Sequence, residues 1–388
     1  MGSSRFDDLS LDVLRTRQGA KWSRYDEDVL PAWVADMDFM TSDPVKAALA
    51  EFSPNDDYGY PWFREENPAA DAYVDLMAQR HDWTVAPDQV RLLADVLQGI
   101  QAFIELASEP GDGIIVQTPI YPPFLALVHE NDRRLVDNPL GSAADGYPLD
   151  IEGLRAAVDD RTRILLLCNP HNPSGRVFTR DELEALGTLA VERDLLIVSD
   201  EIHQDLIYPG QAHIPIASLR PDFAERTVTL TSATKSFNIA GLRCAIAVFG
   251  SERLAEQFGT IPRFIFGGVN SVGVRATANV WRDGQSWLDE LVGYLDANRV
   301  HLEKRVAQDL APITHVRPEA TFLAWLDCRA LDIETSPAEF FLNQGRVALN
   351  DGADFGEHGV GFTRLNFATS RTILDEIIDR MAGAIERI

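Results

Sequence analysis

Lysine is scarce in this chain: four residues, Lys21, Lys46, Lys235 and Lys304, stand beside 31 arginines. Lys46 and Lys304 sit in helical surface patterns (DPVKAALAEF and HLEKRVAQ), and Lys21 in an irregular N-terminal arm. Lys235 differs. It follows the apolar run TVTLTS and precedes FNIAGL and AIAVF, where a bare ammonium is costly to desolvate, so it is either paired with an anion or covalently engaged. Burial lowers a lysine's pKa toward neutrality, and such an amine can form a Schiff base or move a proton. Three further residues follow apolar runs in the same way: Tyr121 after GIIVQ, Asn172 after RILLLC and Asp200 after LLIVS.

Those runs dictate the elements that must hold the chemistry. RILLLC (163–168) is of strand type and ends in the turn-rich NPHNPSG; Thr179 and Glu182 then make a capping box for a helix whose apolar face is Leu183, Leu186 and Ala190. LLIVS (195–199) is the next strand, so the unit predicts two parallel strands joined by a right-handed crossover. GIIVQ (113–117) upstream and TVTLTS (227–232) downstream extend the α/β pattern. In an open parallel sheet ligands bind at the carboxyl ends of the strands, so Tyr121, Asn172, Asp200 and Lys235 should converge there. After about residue 283 the pattern changes to long helical stretches, a strand at TFLAWLDC (321–328) and the closing DEIIDRMAGAIERI. The expected organisation is a large domain over 41–282 and a smaller one formed by 1–40 with 283–388.

The bulk numbers narrow the function. A chain of 388 residues with 45% hydrophobic residues can bury a large core, and a formal net charge of −25 repels nucleic acid and anionic membrane. An anionic ligand must therefore be held by a few placed cations. Cys168, Cys244 and Cys328 lack C-x-x-C spacing, which argues against zinc or a disulfide framework and fits a cytoplasmic location. The N-terminus has no signal-peptide core, and no run reaches the roughly 18 apolar residues of a membrane span. No G-x-G-x-x-G opens a helix after a strand, which argues against a nicotinamide fold.

Pyridoxal 5′-phosphate (PLP) asks for a lysine, a carboxylate at its pyridinium nitrogen, an anion site for its phosphate and an aromatic face on its ring. Lys235, Asp200, Ser232 with Arg243, and Tyr121 supply these in order. Singly each is weak, since an aspartate after a strand is most often a cap or turn residue; together they are hard to dismiss.

SATKSFNIAGLR (232–243), NPHNPSG and SDEIH (199–203) resemble the fold-type I PLP enzymes of the aminotransferase class I/II group. KWSRYDEDVLPAWVADMDF (21–39) and QTPIYPPF (117–124) resemble the MalY/PatB branch of cysteine-S-conjugate β-lyases, and the likeness spans nearly the whole chain. It implies an α/β fold with a mainly parallel seven-stranded sheet in the large domain and a smaller α+β domain. The implied activity is cleavage of L-cystathionine or a related cysteine S-conjugate to thiol, pyruvate and ammonia. An aminotransferase, a secondary-metabolism enzyme or a non-catalytic regulatory protein on the same scaffold are the alternatives.

Residue by residue, the resemblance makes Lys235 the Schiff-base lysine and proton carrier, Asp200 the partner of the pyridine nitrogen, and Asn172 a donor to the ring's phenolic oxygen. Tyr121 stacks on the ring, and His203 either reaches the same oxygen or is merely packed. Ser232, Arg243 and the amides of Val96 and Leu97 bind the phosphate at a helix N-terminus. Where the pattern has a glycine before that amide pair this chain has Asp95, which must turn away or remodel the cup. FTRLNFATSR (362–371) makes Arg364 the clamp on the substrate's carboxylate, with Ala35 and Asp36 beside the substrate. Tyr60 in DYGYPW, or less closely Tyr58, resembles the tyrosine that crosses a homodimer interface to the partner's phosphate.

Overall fold

A computed structural model of the chain describes residues 4–60, 67–262 and 265–388. Its centre is a seven-stranded sheet of Val90–Leu93 (β1), Gly113–Val116 (β2), Arg134–Asp137 (β3), Thr162–Cys168 (β4), Leu196–Asp200 (β5), Thr227–Thr231 (β6) and Ala245–Phe249 (β7), in the order β1-β7-β6-β5-β4-β2-β3. Only β7 runs against its neighbours. Strands buried on both faces read as continuous apolar runs, and β4 shows why: Ile164 and Leu166 join one core, Leu165 and Leu167 the other.

Helices cover both faces. The predicted capping box closes as expected, with Thr179 and Glu182 exchanging side-chain and backbone hydrogen bonds at the start of Arg180–Glu192. On the other face Val96–Ala107 packs Ile100, Phe103 and Ile104 onto the sheet. Gly99 lets that helix come close, because a Cβ there would meet Leu230 at 2.6 Å. The helix thereby brings its N-terminus to the carboxyl end of β6.

A second, antiparallel sheet joins Thr314–His315 (β8), Leu323–Asp327 (β9), Asn350–Asp351 (β10) and Phe362–Asn366 (β11) in the order β10-β11-β9-β8. The N-terminal segment lies beside it: Leu30–Pro31 pairs in parallel with Val347–Ala348 as a separate two-stranded sheet, and the Ala32 carbonyl accepts from Asn366 N of β11 at 2.9 Å. Among the described residues no helix is long and apolar enough to cross a membrane.

Candidate active site

One cavity of about 160 Å³ lies where the strand ends meet. The loop after β2 brings Tyr121, β4 leads to Asn172, β5 ends at Asp200 followed by His203, and β6 leads to Ser232 and Lys235. Ala35 of the N-terminal segment, Asp95, Val96 and Leu97 at the helix start, and Arg243 complete the lining. A larger cleft of about 1010 Å³ opens at the opposite ends of the strands, and its lining includes the ion pairs Arg226–Asp194 at 3.1 Å and Arg163–Asp112 at 3.7 Å. The smaller cavity is the one equipped for chemistry.

Lys235 is partly buried, and its Nζ donates to the Ala35 carbonyl at 3.2 Å. Burial lowers its pKa; Asp36 opposes the shift, Arg364 adds to it and Asp200 opposes it more weakly. Asp200 accepts one backbone N–H, from Ile202 at 3.0 Å, and among the described residues no cation pairs with it directly, Lys235 acting on it only through its field. Burial raises its pKa to about 7, Ile202 N–H and Lys235 opposing and Glu201 assisting. His203 is buried and held neutral, its pKa pushed down to about 3 by burial and then by the charges of Lys235 and Arg364. Its Nδ1 has no hydrogen-bond partner.

Arg364 sits on β11, opposite Asn350 on β10 and Trp325 on β9. Its Nη1 donates to Asn172 Oδ1 at 3.0 Å, and its Nη2 to Asn350 Oδ1 at 2.6 Å and the Trp33 carbonyl at 3.1 Å. Nε is left without a partner although the residue is 3% exposed. Burial lowers its pKa to about 10, so it stays cationic at neutral pH.

Arg364 reaches the cavity lining through Asn172, whereas Asp95 lines it directly and does not turn away. It is the N-cap of Val96–Ala107: Oδ1 accepts from Gln98 N at 2.8 Å and Oδ2 from Arg243 Nη2 at 2.6 Å. The amides of Val96 and Leu97, first in the helix, have no acceptor among the described residues. Arg243 adopts a left-handed backbone (φ +50°), uncommon for a side chain of its size. Ser232 donates to the Cys244 carbonyl at 2.6 Å and accepts from Thr234 N at 3.1 Å.

Tyr60 is not brought to this cavity; it is fully exposed, and Tyr58 is 64% exposed. Pro61 and Trp62 of the same motif lie outside the described residues.

Residues to which the sequence assigned no role hold the segment that carries Ala35 and Asp36. Lys21, expected in an irregular arm, lies in the short helix Ala20–Ser23 and is buried, its Nζ 3.0 Å from Asp38 Oδ2 and 3.1 Å from the Asp36 carbonyl. Asn366 Nδ2 donates to the Val34 and Asp36 carbonyls, each at 2.7 Å, and Asn238 exchanges two 2.9 Å bonds with Met37. Behind Asp200, Glu201 pairs with buried His213 at 2.8 Å and accepts from Ser199 at 2.8 Å. KWSR and LNF were visible as motif residues, but nothing in the sequence near His213 or Asn350 marked those positions.

A family model, Aminotransferase class I and II, matches residues 34–381. The chain is 36% identical to cystathionine beta-lyase PatB of Bacillus subtilis over 95% of its own length and 97% of that protein's. It is 35% identical to cystathionine beta-lyase of Corynebacterium glutamicum, covering 97% and 99% of the two chains. The PLP-bound C-S lyase of Staphylococcus hominis superposes with a TM-score of 0.92 at 29% identity, covering 98% of this chain and 99% of that one.

Proposed function

The chain belongs to the aminotransferase class I and II family, and on that premise we propose that it is a PLP-dependent carbon–sulfur β-lyase, cleaving L-cystathionine or a related cysteine S-conjugate to thiol, pyruvate and ammonia. The observation that carries the reading is Asp200, a buried carboxylate without a cation, facing the same cavity as a lysine of lowered pKa. Lyase is favoured over transaminase because the cystathionine beta-lyases match at 35% and 36% identity, whereas an aspartate aminotransferase and an arginine–pyruvate transaminase match over comparable lengths at 26% and 27%.

The residues present fit PLP. Asp200 lacks the positive partner that a ring N–H would provide, and His203 Nδ1 and Arg364 Nε are buried polar atoms without partners. The free amides of Val96 and Leu97 form an anion site at a helix N-terminus. Lys235 would hold the cofactor, Asp200 its ring nitrogen, Asn172 and His203 its phenolic oxygen, and Tyr121 its ring face. Ser232, Arg243 and the two amides would hold its phosphate. Bound there, PLP supplies an electron sink that makes the substrate's Cα proton acidic and its β-substituent able to leave.

The protein side chains do the rest. Lys235 takes the Cα proton, suited to it by a lowered pKa and aimed by the Ala35 carbonyl. Asp200 keeps its negative charge opposite the ring nitrogen. His203, neutral at working pH, serves as a hydrogen-bond partner rather than as an acid. Arg364 clamps the α-carboxylate, with Ala35 and Asp36 flanking the substrate. The β-thiolate departs with a proton, and the remaining three-carbon unit takes up water to give pyruvate and ammonia.

We read residues 41–282 as the cofactor-holding unit and 1–40 with 283–388 as the unit closing over the substrate. The active form is a homodimer in which Tyr60 reaches the partner's phosphate; its full exposure in one chain supports this. The location is cytoplasmic, in keeping with three buried, unpaired cysteines.

The test is to supply L-cystathionine or an S-alkyl cysteine and to follow pyruvate and free thiol with and without a keto acid. Turnover without a keto acid is expected; turnover that depends on one would reassign the protein to transamination. Arg364→Lys is expected to lower kcat/KM by about 100- to 1,000-fold, chiefly through KM, since an ammonium cannot reproduce the guanidinium fork. An unchanged KM would remove Arg364 from the carboxylate site.

A further inference from the structure

Asp95 faces the same cation that the proposed phosphate site depends on. Capping the helix needs only one carboxylate oxygen, and Oδ1 does that through Gln98 N at 2.8 Å. Oδ2 is engaged elsewhere, 2.6 Å from Arg243 Nη2. The carboxylate thus holds one helix N-terminal amide and the guanidinium, while the amides of Val96 and Leu97 beside it remain free. Asp95, Val96, Leu97 and Arg243 all line the cavity that contains Lys235.

We infer that Asp95 is a built-in competitor for the cofactor's phosphate: its carboxylate occupies Arg243 when the phosphate is away and must yield that guanidinium, or share it, when the phosphate binds. The inference rests on the PLP reading above. A phosphate carries nearly two negative charges at neutral pH, and a fixed carboxylate sharing its cation opposes it. Asp95 therefore steadies the cofactor-free site and weakens the grip on PLP. The two effects have opposite signs, which separates this role from a purely structural one.

Asp95→Asn tests it, because asparagine caps helices as well as aspartate and keeps the shape while removing the charge. Cofactor-free protein is titrated with PLP and with pyridoxal, which lacks the phosphate, following the visible band. The expected result is at least tenfold tighter PLP binding by Asp95→Asn with pyridoxal binding unchanged. The melting temperature of the cofactor-free variant should fall while the rise on adding PLP grows. Asp95→Ser, which also caps, should behave alike. PLP binding that is unchanged or weaker in both variants overturns the inference while leaving the cofactor reading intact. Equal tightening of PLP and pyridoxal also overturns it, since the effect would not then act through the phosphate. If wild type and variants acquire no band with PLP, the cofactor reading falls and takes the inference with it.

Discussion

Lys235→Ala is expected to lower pyruvate formation from a cysteine S-conjugate by about 10,000-fold or more. A positioned acid–base group is worth roughly 100- to 10,000-fold, and here the same amine is also the covalent attachment point. No second lysine can take over among the described residues: Lys21 is locked to Asp38, Lys46 lies on the surface beside Asp43, and Lys304 sits on the long helix Gln285–Asp309. Treatment with borohydride followed by mass measurement should couple PLP to the wild-type chain and not to the variant. A variant that keeps more than about 1% of activity would mean that another group removes the proton.

Asp200→Asn should separate stability from activity. In the cofactor-free protein burial raises the Asp200 pKa from 3.8 to about 7. Between those values the folded state keeps a proton that the unfolded chain has lost, so stability falls as pH rises through the window, and the penalty is complete above about pH 7. Asparagine removes it while preserving an acceptor for Ile202 N–H. The cofactor-free variant should be more stable than wild type at pH 8 by a few kcal/mol, roughly 1.4 per pKa unit, with the gain shrinking toward pH 4. Turnover should fall about 100- to 1,000-fold, as when a preorganised charge is withdrawn. Thermal melts at two pH values and the pyruvate assay read both effects; a variant less stable at pH 8, or one as active as wild type, contradicts the assignment.

The parts of the site that the sequence revealed are side chains standing at the ends of apolar runs. Tyr121, Asn172, Asp200 and Lys235 were legible because a doubly buried strand leaves no room for them earlier in the run, and parallel order brings the run ends together. The strand limits moved by only a residue or two: TVTLTS was expected over 227–232, and the strand is Thr227–Thr231. What stayed hidden acts through register or backbone. Asn350 meets Arg364 only because β10 pairs with β11 in one register. Lys21 could be placed only in an irregular arm, since its burial depends on a carboxylate seventeen positions on and on the Asp36 carbonyl. The sequence flagged Asp95 as a conflict, yet which oxygen meets which donor is a matter of three-dimensional placement.

The clamp on residues 33–38 bears on how the molecule is made. Asp36 and the Asn366 side chain that holds its carbonyl are 330 residues apart, and Trp33 and Arg364 are 331 apart. At about 5–20 residues per second, a nascent chain carries this segment for roughly 20–60 s before its partners are synthesised. Until then the segment that carries the Ala35 carbonyl has only Lys21 at Asp36 and Asn238 at Met37 to hold it, without the Asn366 and Arg364 side chains. The cavity is therefore among the last features to form during biosynthesis, and cofactor capture in its final geometry waits for the completed, released chain.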